Sequence, residues 1–321
     1  MAVLQVASDL IQTTIVFATA LVFAMLGGLI SERSGVVNIA LEGMMMVGAF
    51  TAAIVTYFLE TNAGLGGSAP WIGFVCAIAA GAVFALPHAA ASVTFRADQV
   101  VSGVALNLLA AGATIYLCKM LLNGAAQTPT LKNVFSKWAV PALSDIPYLG
   151  PALFVAYPTS YIAFLLVAVM AFVLYKTPAG LRLRAVGEHP KAADSVAINV
   201  YRVRYAAVMI SGALAAMGGA TIALTTTSNF SHNTISGQGF IALAALIFGK
   251  WRPVAGMFAA LFFGIASALK SVFQVYGITN YIPVDFIYMF PYILTVLVLA
   301  GFVGRAVAPG AVGKPYRKGE R

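Results

Sequence analysis

Glu42 is the acidic side chain whose setting most invites a chemical role. It falls in an apolar stretch about seven residues past the nearest charged break, with Asn38 four residues before it. In a helix that spacing puts both on one face. A carboxylate at such depth needs a partner, a cavity or a helix N-terminus. Two duties suit the pair: satisfying the backbone of a broken helix, or lining a path for a polar solute. Asn107 and Gln238 also interrupt apolar runs without an evident structural duty, so these four are the candidate solute contacts. Covalent chemistry has no comparable set. No G-x-x-x-x-G-K-[ST] is present, and Phe248-Gly249-Lys250-Trp251 lacks the first glycine and the magnesium-binding hydroxyl, so this chain is expected not to hydrolyse ATP. No paired intramembrane carboxylates or histidines suggest a proton relay. His88, His189 and His232 are far apart, and Cys76 and Cys118 sit singly in apolar runs, so neither a metal site nor a disulfide is expected.

The elements that must position these residues are set by composition. Of 321 residues, 61% are hydrophobic and 9% charged, where soluble domains carry about 25% charged residues. Mean hydropathy is +0.91. The chain reads as one all-α polytopic membrane domain, 1–321. Apolar runs of membrane-crossing length lie near 10–30, 36–59, 71–93, 101–122, 153–175, 205–225, 254–275 and 285–303. A ninth, 239–248, covers about half a membrane and follows the polar run Thr225 to Asn233, which predicts a half-helix or re-entrant element. The first run lacks a basic start and a cleavage region, so it is expected to be retained.

Orientation follows from lysine and arginine. The breaks 31–35, 94–99, 176–204 and 249–253 and the tail 304–321 hold fifteen basic residues, whereas the intervening breaks hold Lys132 and Lys137. The rich side faces the cytoplasm, which puts the N-terminus outside and the C-terminus inside, and requires the short element to complete its crossing. The net charge of +9 is spread over these breaks rather than one face, so it reads as membrane orientation and not as nucleic-acid binding. Small residues repeat every four positions at Gly256, Ala260, Gly264 and Ala268 and at Ser211, Ala215 and Gly219, a pattern for close helix packing. Pro87 and Pro291 should kink their spans. Lys270 and Asp285 lie near the outer boundary, where snorkelling or a mutual pair accounts for them. Within 176–204, Pro190 suits the start of a short helix and Asn199 its end. Such a helix either docks into a groove of another protein or rests on lipid headgroups.

Three stretches carry a family resemblance: Ser31-Glu32-Arg33-Ser34-Gly35-Val36-Val37-Asn38-Ile39-Ala40-Leu41-Glu42-Gly43, the loop Gly180 to Asn199, and Gly237 to Gly249. Asp98 to Gly103 and Pro291 to Thr295 are similar too. The sequence resembles the integral membrane permease subunits of bacterial ABC importers, in the branch serving ribose, other simple sugars, nucleosides and branched-chain amino acids. The first stretch looks most like the shorter permease of nucleoside importers. The resemblance implies a multi-pass subunit of the bacterial cytoplasmic membrane with no cofactor of its own. It also implies a second, non-identical permease, a cytoplasmic ATPase with two nucleotide-binding halves that binds ATP and magnesium, and an external substrate-binding lipoprotein. Asn38, Glu42, Asn107 and Gln238 would then meet a sugar hydroxyl or base. The loop within 176–204 would couple to the ATPase through Gly180, Arg182, Arg184, Gly187, Glu188, Pro190, Ala192, Ala193 and Ile198, although it departs from the widespread E-A-A-x-x-x-G pattern at Glu188-His189-Pro190. A ribose or simple-sugar permease is the alternative within the family, and an autonomous secondary carrier the alternative outside it.

Overall fold

The computed structural model describes residues 2–275 and 307–319, with Phe286, Met289, Ile293 and Val296 between them. Most of the expected span 285–303, including Asp285 and Pro291, lies outside the described residues, as does the side chain of Lys270. The chain is a helical bundle in which, among the described residues, six helices are long and apolar enough to cross a membrane: Leu4–Arg33, Leu41–Asn62, Ala69–Thr94, Gln99–Leu121, Pro158–Lys176 and Val200–Thr226. Two shorter apolar helices, Gln238–Phe248 and Pro253–Leu269, accompany them. It is a multi-pass membrane protein.

In chain order, α1 (Ala2–Arg33), α2 (Leu41–Asn62) and α3 (Ala69–Phe84) are followed by the single turn α4 (Leu86–Ala89) and a π turn, Ala90–Thr94. The break at Ala85 is the expected effect of Pro87, which cannot donate to the preceding turn. Helix α5 (Gln99–Leu121) starts where Asp98 accepts the Val100 and Val101 amides. After a long connection, the pair β1 (Trp138–Ala139) and β2 (Val155–Ala156), antiparallel with Trp138 opposite Ala156, flanks α6 (Leu149–Phe154). Among the described residues, these two-residue strands depart from the all-α expectation. Pro158 then fixes the first turn of α7 (Pro158–Lys176), so this crossing begins later than the apolar run at 153.

Residues 176–204 contain two helices, α8 (Pro178–Glu188) and α9 (Pro190–Ser195), split at His189 because the proline that follows forces the chain out of helical geometry. The expected helix from Pro190 to Asn199 therefore ends early. Ala197 turns the chain at φ +61°, and Asn199 caps α10 (Val200–Thr221), its Oδ1 accepting the Arg202 amide. Helix α10 ends in a second π turn, Ile222–Thr226, and the polar run leads to α11 (Gln238–Phe248) and α12 (Pro253–Val275).

Helices α1, α2 and α10 form the buried centre, while α5 keeps Val101, Leu108 and Met120 exposed. The small-residue repeats are crossing points. A Cβ on Gly219 would stand 1.8 Å from the Met45 carbonyl oxygen, and one on Gly264 2.9 Å from that of Thr14, so each pair touches through backbone. The second contact and that of Gly256 with Met25 set α12 antiparallel along α1. The bundle has a basic end, where Arg33, Trp251, Gly187 and Arg204 meet. At the other end Glu60 accepts the Lys132 and Asn133 amides, and Gln12 donates to the carbonyls of Pro151 and Val155.

Candidate functional site

Two interrupted crossings meet inside the bundle. The first lies between α1 and α2, where residues 34–40 are not helical. Asn38 thus stands outside α2, not one helical turn before Glu42 on its face as the spacing predicts. Non-helical backbone within a membrane bundle requires partners for its N–H and C=O groups, and side chains from three other helices, α4, α5 and α10, supply them. Gln99 Oε1 accepts the Val37 amide at 2.7 Å, and His88 Nε2 donates to the Val37 carbonyl at 2.9 Å. Since a carbonyl only accepts, Nε2 carries a proton; His88 Nδ1 lies 3.0 Å from the Ser102 hydroxyl. Asn107 Nδ2 donates to the Ile39 carbonyl, and its Oδ1 accepts the Gly43 amide. Asn38 accepts the Ala40 amide and donates to Ser211 Oγ at 2.8 Å. Arg204, 1% exposed, donates to the Ser34 carbonyl at 3.2 Å.

The second interruption is the descent from Thr227 to Gly237, after which α11 begins inside the bundle. Glu42, in the first turn of α2, accepts the Gly237 amide on Oε1 and the Gly239 amide on Oε2, each at 2.6 Å. Free amides and the helix dipole make a helix N-terminus an anion site, and this one is filled by the chain's own carboxylate. Gly237 has φ +88°, the left-handed region that glycine enters without strain. A Cβ on Gly239 would come within 2.5 Å of Glu42 backbone atoms, so only glycine admits this approach. Three of the four candidate solute residues, Asn38, Glu42 and Asn107, therefore share the junction and hold its backbone. Gln238, half-buried at the first turn of α11, makes no side-chain hydrogen bond among the described residues.

At the basic end the nine candidate coupling residues separate by exposure. Arg182, Glu188 and Ala192 are exposed, while Arg184, Pro190 and Ile198 are half-buried. The Arg184 guanidinium stacks 5.4 Å from the Tyr175 ring centroid. Gly180 and Gly187 are packed against backbone, the first at Val173 and the second at Arg33. Glu188 accepts the Gly310 amide at 2.9 Å and lies 3.9 Å from Arg33. Ala193 is 3% exposed and packs with Val186, Val200 and Tyr316. Ala192 and Ala193 do not form a single small face, because consecutive residues on a helix point about 100° apart; Ala192 faces outward and Ala193 faces the chain. Clefts of about 820 Å³ beside α8, lined by Arg182, Ile198 and Arg202, and about 580 Å³ beside α9, lined by Ala192, Lys314 and Tyr316, open on this surface.

Several working residues were missed in the sequence. His88, Gln99, Ser211 and Arg204 serve the insert, and Trp251 locks α1 to the α11–α12 corner by donating to Glu32 and accepting from Arg33. The available signal was a polar side chain inside or at the mouth of an apolar run.

A buried joint of two broken helices thus stands in a membrane-type bundle whose basic end carries short surface helices. The family model described as branched-chain amino acid transport system / permease component matches residues 10–299, and the chain belongs to this family. Among its relatives, the guanosine ABC transporter permease protein NupQ of Bacillus subtilis is 51% identical over the whole of both chains. The nucleoside ABC transporter permease protein NupC of Lactococcus lactis is 43% identical over 96% of each. A second permease of that strain, nucleoside ABC transporter permease protein NupB, is 31% identical over 32% of this chain and 29% of its own. No solved structure matches the chain.

Proposed function

We propose that the chain is the transmembrane permease subunit of an ATP-driven importer of nucleosides or closely related ribosides. The observation that carries this is the full-length identity with NupQ and NupC, 51% and 43%. In this reading the chain lies in the bacterial cytoplasmic membrane with its N-terminus outside, its basic end inside and about nine crossings. The Thr227–Phe248 segment, whose half-helix ends near Arg33 and Trp251, makes up one of them. Its partners are a second, different permease, an ATPase with two nucleotide-binding halves that supplies ATP and magnesium, and an external substrate-binding lipoprotein. The coexistence of NupC and NupB in one strain supports the unlike pair. Alternating access would follow from the joint: ATPase closure displaces α8 and α9 at the exposed face of Arg182, Glu188 and Ala192, and the interrupted crossings shift at Glu42. Asn38, Glu42, Asn107 and Gln238 lie where the path would narrow, with Gln238 the side chain available to a ligand.

The test is uptake by proteoliposomes. The full complex with ATP should accumulate labelled guanosine, with competition by other nucleosides and none by ribose or glucose, while the chain alone under an ion gradient should be inert. Uptake by the chain alone would overturn the assignment in favour of a carrier, and competition by ribose would move it to sugars.

A further inference from the structure

We infer that the C-terminal segment 307–319 links the coupling helices to the insert 34–40 and transmits their displacement to it; this rests on the docking role proposed for α8 and α9. On one side the segment is tied to both helices. The Gly310 and Ala311 amides bond Glu188 Oε2 and the Gly187 carbonyl of α8, each at 2.9 Å. The Tyr316 ring, 6% exposed, packs with Val186, Ala193 and Val200 and lies 5.6 Å from the Tyr201 ring. Its hydroxyl is hydrogen-bonded to Asp194 of α9.

On the other side it grips the insert. The Gly313 amide donates to the Gly35 carbonyl at 3.2 Å, and the Lys314 carbonyl accepts Arg204 Nη1 at 3.1 Å. The same guanidinium holds Ser34 through Nε. A hydrogen-bonded route thus runs from α9 through Tyr316, along the segment to Lys314, and through Arg204 to the insert that carries Asn38. Arg204 Nη2 is fully buried and makes no hydrogen bond among the described residues.

The experiment uses the complete complex in proteoliposomes with Tyr316→Ala, Tyr316→Phe and a chain ending at Gly310. Three quantities are read: ATPase retained on the purified permease pair, uptake, and stimulation of ATP hydrolysis by the loaded binding protein. Tyr316→Ala and the truncation should retain ATPase within about threefold of wild type, while uptake and stimulation fall roughly tenfold. Tyr316→Phe, which keeps the ring in its socket, should retain most uptake. Wild-type uptake and stimulation in Tyr316→Ala and the truncation would overturn the proposal. Loss of ATPase from both would also overturn it, by making the segment part of the docking face instead. If Tyr316→Ala fails to accumulate, Tyr316→Leu reads the same link with part of the socket filled: a fall in stimulation of about threefold supports it, and no change refutes it. Failure of the docking reading itself is seen separately, as ATPase retention that no exposed-face variant of α9 alters.

Discussion

Replacing Glu42 tests whether its carboxylate is a cap for α11 before it is anything else. Glu42→Ala leaves the Gly237 and Gly239 amides without acceptors inside the bundle. A buried donor left unsatisfied costs about 1–3 kcal/mol, so two cost about 2–6 kcal/mol. Loss of the negative charge at the N-terminus of α11 adds about 0.3–1 kcal/mol, and up to about 2 kcal/mol when buried. Glu42→Gln keeps one carbonyl oxygen but turns an NH2 group toward the other amide, so about half of the hydrogen-bonding loss, about 1–3 kcal/mol, should remain. The measurements are the thermal midpoint of the purified protein and amide exchange across 238–248. Stability should fall in the order wild type, Gln, Ala, with exchange rising in the first turn of α11 and uptake falling in parallel. Equal midpoints and unchanged exchange in both variants would refute the capping argument. A Gln variant with wild-type stability and exchange but no uptake would instead make Glu42 a solute contact.

Cysteine placed at Ser136 should be labelled by an impermeant thiol reagent in intact cells, and cysteine at Ser195 only after permeabilisation, both positions being exposed; the reverse pattern would invert the topology and remove α8 and α9 from the ATPase. Because Ala192 faces outward and Ala193 inward, Ala192→Trp should leave the thermal midpoint within about 0.5 kcal/mol of wild type yet release ATPase in a pull-down. Ala193→Trp should overpack the Tyr316 socket and cost about 1–3 kcal/mol of stability, and the opposite ranking would place the docking face elsewhere. Burial, and then the bond to Asp194, push the Tyr316 phenol up to about 12. The fold therefore favours its protonated form: the contribution is complete below about pH 10, the free phenol's range, and is lost as pH rises through about 12. The difference in tyrosinate absorbance between wild type and Tyr316→Phe checks this, and a midpoint near that of a free phenol would contradict the socket.

Membrane class and the approximate position of six crossings, those between Leu4 and Thr226, were legible because lipid imposes a length and an apolarity that local sequence must satisfy. The half-helix at 238–248 was legible for the same reason, since ten apolar residues after a polar run cannot cross alone. Helix starts were less so. The apolar run from 36 gives no sign that α2 waits until Leu41, because Val36, Val37 and Ile39 are as apolar as a helix interior. What stops the helix is a set of distant partners: Gln99, His88, Asn107, Ser211 and Arg204.

The duties of individual polar residues divide along the same line. That Glu42 needs a partner follows from one residue in an apolar run and the cost of an unpaired carboxylate in lipid. That the partner is the N-terminus of α11, 195 residues away, depends on two glycines that let backbone meet backbone. Ala192 and Ala193 were both visible as small residues on a short helix, but only the packing of Tyr316 from the far end of the chain decides which of them is covered. Solvent and local geometry act on neighbours along the chain, so the sequence by itself determined the helices, their medium and the sign of each end. Hydrogen-bond satisfaction in the interior joins residues far apart in sequence, so the broken crossings, the Glu42 cap and the link through Arg204 were decided by the tertiary structure.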